Sequence, residues 1–165
     1  MFYIFLMKII NRFFYKQQLI KNISSKQEYI NILQNNTENN EELFIKICSE
    51  YGDLLRYIPQ KYHTYDICMA SVTNSPCSLK YMTPEMQSFD ICVKAIKSCS
   101  YSIEYIHNLT EDLALIALRI NGDCISLIDE RDHTLLMCQT AYKTTPKSVQ
   151  YFRNELREHF ECIKD

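Results

Sequence analysis

One short unit, repeated five times, decides what this chain can fold into. Asn40, Thr64, Ser88, Thr110 and Thr134 recur at steps of 24, 24, 22 and 24 residues, each followed by the same apolar pattern at matched offsets. A unit that short cannot bury its apolar side alone, so successive copies must stack and share one interior. The expectation is an all-α fold: an α-solenoid of about five short helix-turn-helix repeats of 22–24 residues with an N-terminal helical cap.

Each of the five has a short polar side chain able to accept a hydrogen bond from an orphan N–H of a first helical turn. Two residues on stand Glu42, Asp66, Asp90 and Asp112, acids where the helix dipole favours negative charge; the fifth unit has Leu136 instead. Offset three holds Leu43, Ile67, Ile91, Leu113 and Met137, and offset four Phe44, Cys68, Cys92, Ala114 and Cys138. Offsets seven and eight hold Ile47–Cys48, Ser71–Val72, Ala95–Ile96, Ala117–Leu118 and Ala141–Tyr142. Those offsets form one stripe of a 3.6-residue helix, which predicts an amphipathic helix of about ten residues opening each unit.

Offset twelve breaks the pattern with Gly52, Pro76, Ser100, Gly122 and Pro146, residues that belong at a turn. A second apolar group follows at offsets fifteen, seventeen and eighteen, as in Leu55-Tyr57-Ile58 and Leu79-Tyr81-Met82, and predicts a second, shorter helix of about two turns. Pro59 and Pro84 redirect the chain after it in the first two units. In the short third unit the register holds through Ile106, so its missing pair falls in the loop that follows, where a deletion costs least.

At 165 residues the chain can bury roughly 70% of its unfolded surface and needs no metal or disulfide to fold. Residues 1–27 carry five cations and no acid, so with a net charge of −2 overall the remainder is −7. An acidic array argues against a nucleic-acid platform. Cys68, Cys92, Cys138 and Cys162, four of eight cysteines, share one column of the buried stripe. Equivalent positions in stacked helices lie roughly 8–10 Å apart, beyond a disulfide's reach. No Cys-x-x-Cys pair and no zinc-ligand spacing occurs, so the thiols read as small core side chains of a reducing, intracellular compartment, with no metal and no cofactor.

Residues 1–39 form a basic, apolar helical segment with a polar linker (34–40), residues 40–158 the tandem repeats, and residues 159–165 a partial sixth repeat. The run 1–7 is apolar but stops at Lys8, far short of the ~20 residues that span a bilayer. Lys8, Arg12 and Lys16 share a helix face, which suits a capping helix over the first repeat. The alternative is membrane-surface contact through Phe2, Phe5, Lys8, Arg12 and Lys16. Leu19, Ile20, Ile23, Tyr29, Ile30, Ile32 and Leu33 look like a degenerate extra unit, and His159, Phe160, Cys162 and Ile163 restart a sixth.

The consensus T-x-D-I-C-x-x-A-[VI] followed by Leu-x-Tyr-[Ile/Met], clearest in TYDICMASV…SLKYMTPEM and SFDICVKAI…SIEYI, resembles a family. It is similar to the short tandem helical repeats of unknown function found in proteins of giant amoeba-infecting viruses such as mimivirus. The resemblance covers about residues 40–163, strongest over 52–106, and implies an all-helical repeat fold without catalytic residues.

No phosphate-binding glycine loop, Gly-x-Ser-x-Gly elbow or His-Glu-x-x-His motif is present. His63 and His133 precede cap threonines and are placed to bond the local turn; the tyrosine column 57, 81, 105 and 151 is placed to pack in the core with hydroxyls at the rim. The expected role is a non-enzymatic protein–protein interaction module or scaffold, with a protein partner and no small-molecule substrate. The contact positions expected from loop variation between units are Gln60, Lys61, His63, Glu85, Gln87, His107, Asp129, Glu130 and Arg131.

Overall fold

The computed structural model describes residues 25–35 and 40–161. Helix α1 (Lys26–Asn35) precedes five α-helices of ten residues each: α2 (Glu41–Glu50), α3 (Tyr65–Asn74), α4 (Phe89–Ser98), α5 (Glu111–Ile120) and α6 (Leu135–Thr144). Each of the five is followed by a six-residue 3-10 segment, Gly52–Tyr57, Pro76–Tyr81, Ser100–Tyr105, Gly122–Leu127 and Pro146–Tyr151, and a last helix α7 spans Asn154–Glu161. Consecutive α-helices α2 to α6 pack side by side, and consecutive 3-10 segments pack in a second row beneath them. The described residues hold no strand. The chain is an all-helical stack of repeats with one shared interior.

The caps sit where the sequence places them, with one difference in how they work. The side chains of Asn40, Thr64, Thr110 and Thr134 accept from the backbone N–H of Leu43, Ile67, Leu113 and Met137 at 3.1, 3.5, 3.4 and 3.2 Å. Ser88 occupies the same position but its hydroxyl makes no cap bond; only its carbonyl anchors α4, by accepting from Cys92 N–H at 3.0 Å. The stripe at offsets three, four, seven and eight is buried apart from Tyr142, which is half-buried.

One extended residue (Tyr51, Ser75, Cys99, Asn121 or Thr145, with φ from −134 to −151°) turns the chain out of each α-helix into its 3-10 segment. The second element is thus two turns long, but of three residues per turn rather than 3.6. That period decides which side chains enter the core: residues three apart eclipse one another. Offsets fifteen and eighteen fall on one edge and are buried in every unit, from Leu55 and Ile58 through to Val149 and Phe152. Offset seventeen, the tyrosine column, falls on the next edge. Tyr57, Tyr81 and Tyr105 pack against the core but stay half-exposed, and Tyr151 is exposed, so the column lines the rim rather than the interior.

The two-residue deletion has a structural counterpart. Units one, two and four carry an extra 3-10 turn before the next α-helix (Gln60–Tyr62, Pro84–Met86 and Glu130–Asp132), and the third unit lacks it. Its connection runs directly from Ile106 to Thr110.

The ends differ from expectation in register. Gln34 and Asn35 belong to α1, so the polar linker begins after them. Tyr29 of α1 is fully buried on the first repeat and donates from its hydroxyl to Glu50 Oε2 at 2.8 Å, while Lys26 pairs with Asp53 at 2.8 Å. The described helix that covers the first repeat is therefore 26–35; residues 1–24, with the expected capping helix, lie outside the described residues. Helix α7 begins at Asn154, five residues ahead of His159, because the chain continues as helix where earlier units make their extra turn. Phe160 is buried against the rings of Phe152 and Tyr142, at 5.2 and 5.3 Å between centroids.

Neither glycine has a positive φ. They are needed for space: a Cβ on Gly52 would run into the carbonyl oxygen of Ser71 on the next α-helix, and one on Gly122 into that of Ala141. The same contacts are hydrogen-bonded, Ser71 Oγ donating to Gly52 O at 2.7 Å and Gly52 N–H to Asn74 Oδ1 at 2.8 Å. Gly122 N–H donates to Thr145 Oγ1 at 3.1 Å. Gly122→Ala is expected to lower stability by about 1–3 kcal/mol, as overpacking against backbone does, whereas Ala is better than Gly in most helical settings. Thermal unfolding followed by circular dichroism checks it; a melting temperature equal to or above that of the native chain would mean the units are not in contact there.

Candidate functional site

The residue just before the α3, α4 and α6 caps repeats a single task. His63 is buried, and its Nε2–H donates to the Ile58 carbonyl at 2.9 Å. His133, also buried, reaches the Ile125 and Ile128 carbonyls at 3.2 Å each. Gln87 donates from Nε2 to the Leu79 and Tyr105 carbonyls at 3.0 and 2.8 Å, and its Oε1 accepts from His107 N–H at 2.9 Å. One repeat after His133, Arg157 donates to the carbonyls of Gln150 and Phe152 at 2.7 and 3.0 Å. All four donate to carbonyls at or just past the end of a 3-10 segment, some of them, such as Leu79 and Ile125, also bonded by backbone N–H groups.

His63 and Gln87 are accordingly not the free loop contacts the sequence led us to expect. His63 is 5% exposed, and both ends of the Gln87 amide are already bonded. Asp129 and Arg131 are exposed but bound to each other, with Nε to Oδ1 at 2.9 Å and Nη2 to Oδ2 at 2.6 Å. The Arg131 guanidinium and backbone N–H hold the Asp129 carboxyl well below the usual carboxylate range. The acidic loop is a self-closed turn. Gln60, Lys61, Glu85, His107 and Glu130 are exposed. Phe2, Phe5, Lys8, Arg12 and Lys16 lie outside the described residues, and no described helix is long and apolar enough to cross a membrane.

The structure brings three of the expected positions, Gln60, His63 and His107, into one open groove of about 500 Å³. It runs along the 3-10 row from the first unit to the start of the third connection, with Ile58, Met82 and the buried His63 in its lining. Arg56 and Lys80, which are not among the positions expected from loop variation, supply its charge. They occupy offset sixteen, the outward edge of the three-residue period, one repeat apart. The Arg56 guanidinium lies 4.7 Å from the Tyr57 ring centre, and Lys80 Nζ lies 5.1 and 5.7 Å from those of Tyr81 and Tyr105. Nearby, Lys61 Nζ lies 4.7 Å from the Tyr62 ring. Among the described residues neither Arg56 nor Lys80 has a carboxylate within ion-pairing distance. At the rim the Thr83 hydroxyl and the backbone lower the Glu85 pKa, with His107 adding a smaller favourable field. A readable signal did exist: both cations directly precede a tyrosine of the repeated column.

The cysteines belong to the interior. Cys48, Cys68, Cys92, Cys124 and Cys138 are buried, and Cys77 is exposed. Desolvation raises the thiol pKa of Cys48 to about 12 and those of Cys68 and Cys138 to about 11. The groups stay protonated near neutrality, and no three His, Cys, Asp or Glu among the described residues are placed to hold a metal. Cys162 lies outside the described residues.

Residues 64–110 match a family described as "Domain of unknown function (DUF4116)". The match runs from the Thr64 cap to the Thr110 cap and so spans the second and third units, which contain Lys80, Gln87 and the Tyr81–Tyr105 pair. No curated protein and no solved structure matches the chain.

Two predictions follow from burial. Iodoacetamide applied to the native chain near neutral pH is expected to alkylate Cys77 well before the five buried cysteines, which react only on unfolding. Peptide mapping by mass spectrometry reads the order; early labelling of Cys48 or Cys68 would contradict the packing. Desolvation also lowers the His63 pKa below its ordinary 6.5, against the smaller opposing pull of the Ile58 and Leu55 carbonyls. The unfolded chain then takes up a proton near pH 6.5 that the folded chain refuses until lower pH. Stability is thus full above that value and falls as pH drops, with a slope of at most about 1.4 kcal/mol per pH unit from this one group. His63→Gln, which copies the second unit, should flatten that part of the slope in urea unfolding compared between about pH 7.5 and 5.5. An identical slope in both chains would mean that His63 titrates freely.

Proposed function

We propose that this chain is a non-enzymatic interaction module, a rigid helical stack that presents one row of loops and a groove to a protein partner. The groove carries the reading: it lies on the 3-10 face, where exposed side chains differ from unit to unit, while the capping and packing positions repeat. A stack of this kind offers a large surface at fixed spacing without moving parts. The net charge of −7 beyond residue 27 speaks for a protein rather than a nucleic acid as partner. Buried, protonated thiols are compatible with a reducing, intracellular compartment. For a chain of viral origin, which the resemblance to tandem repeats of giant viruses supports, the partner belongs to the host cytoplasm.

The test uses loop positions that do not hold the fold. In cells that express the chain, proximity labelling with the native protein is compared with a Gln60→Ala, Lys61→Ala, Glu85→Ala, His107→Ala variant of equal melting temperature. Partners engaged by the loop face should drop out, and purified ones should bind the variant at least about tenfold more weakly, a loss of ~1.4 kcal/mol. Full retention of every partner by the variant would rule the loop face out.

A further inference from the structure

We propose that the groove between the first three units is a docking site for an acidic, extended peptide segment of a partner protein. This rests on the interaction-module reading and names the chemistry of its partner. The charge argument comes first. On a body that is net negative beyond residue 27, Arg56 and Lys80 face outward in one groove with no acidic partner among the described residues. Some surface cations elsewhere are paired, Lys26 with Asp53 and Arg131 with Asp129; what distinguishes Arg56 and Lys80 is that they lie together in one groove. The two groove cations lie over tyrosine rings, and the Tyr57 and Tyr81 hydroxyls also stand beside the Arg56 guanidinium; with five N–H donors on Arg56 and three on Lys80, each cation can still take a carboxylate.

The shape and extent of the site set the form of the ligand. The groove floor contains Ile58 and Met82, so side chains between the acidic ones have apolar surface to cover. Arg56 and Lys80 are equivalent positions of stacked neighbours, which lie about 8–10 Å apart. An extended chain covers that distance in about three residues at roughly 3.3 Å each, so two acids two or three positions apart meet both cations. The next unit carries Glu104 at the same offset, where it raises the Tyr105 pKa and ends the basic stretch. Two cations followed by an acid fit a short acidic motif and not a phosphodiester backbone, which needs a longer run of cations.

Fluorescence anisotropy on the full chain tests this with three probes: a fluorescein-labelled peptide of about ten residues alternating Glu and Leu, its Lys-for-Glu counterpart, and an oligothymidylate of similar length. The acidic peptide is expected to bind, the basic one not, and the affinity to fall as NaCl rises from about 50 to about 300 mM. Because residues 1–27 also carry five cations, variants of the groove decide the matter. Arg56→Glu with Lys80→Glu should weaken the acidic peptide at least tenfold, and the milder Arg56→Gln with Lys80→Gln at least threefold. The exposed Lys97→Glu, on α4 and outside the groove, should leave it unchanged. Equal binding of acidic and basic peptides, tighter binding of the oligonucleotide, or unchanged affinity in both groove pairs would overturn the proposal. If cellular partners are lost with the four loop substitutions yet the groove pairs bind every probe like the native chain, the interaction module stands and the groove assignment falls.

Discussion

At two junctions neighbouring units meet through small groups, the seventh position of α3 or α6 against the glycine that starts the preceding 3-10 segment. Ser71 and Ala141 present their backbone carbonyls to Gly52 and Gly122 so closely that no Cβ fits between. The spacing set there agrees with the rest of the stack, where Pro76 and Ser100 start the segment instead. The buried stripe of one helix reaches the stripe of the next, and the 3-10 segments, carried at the same spacing, close a second row beneath. Where glycine is present its free N–H is bonded by the next unit, through Asn74 or Thr145. Proline in the equivalent position of the second and fifth units has no N–H to satisfy, so the column tolerates two residues with opposite chemistry.

The 3-10 segments create a second requirement, because a short helix ends with carbonyls that nothing in it can bond. One repeat position meets that need with three residue types: His63, Gln87 and His133 directly before a cap, and Arg157 at the same offset inside α7. They share donors of sufficient reach and little else. The third unit shows the rule by its exception. Leu109 stands in this position and has no donor, and the shortened connection leaves the Tyr105 carbonyl and the His107 N–H to be bonded from elsewhere. Gln87 of the preceding unit serves both. A deletion that looks like a local loss is thus met by a side chain one repeat away.

How much of this was legible in the sequence depends on whether the information was periodic. Caps, the buried stripe and the loop deletion repeat with the unit and could be placed to the residue. The difference between an α-helix and a 3-10 helix in the second element was visible only in the buried offsets fifteen and eighteen. A run that short cannot separate a period of 3.0 from one of 3.6. The consequence reached the site: with a period of three, the tyrosines move to the rim and the residues before them point outward. Loop variation between units therefore points to His63, which is buried, and not to Arg56 and Lys80, which line the groove. A histidine before a threonine reads as local turn chemistry, and His63 and His133 do bond carbonyls five residues back, those of Ile58 and Ile128.

A repeat array keeps its packing positions under a common constraint and releases the others. Offsets fifteen and eighteen stay apolar in every unit because each must fit between two neighbours. Offset sixteen faces outward and runs through Arg56, Lys80, Glu104, Ser126 and Gln150, which share neither charge nor size. Packing cannot account for that order, since none of the five is buried. A polar surface needs only solubility, for which any mixture would do. Two adjacent cations over tyrosines and above an apolar floor are a more specific arrangement than solubility requires. Their separation is fixed by the same contact between units that fixes the core. The stack thus acts as a ruler for whatever charges its outward edge carries, and a change in the approach at Gly52 would alter the spacing of the groove as well as the stability of the fold.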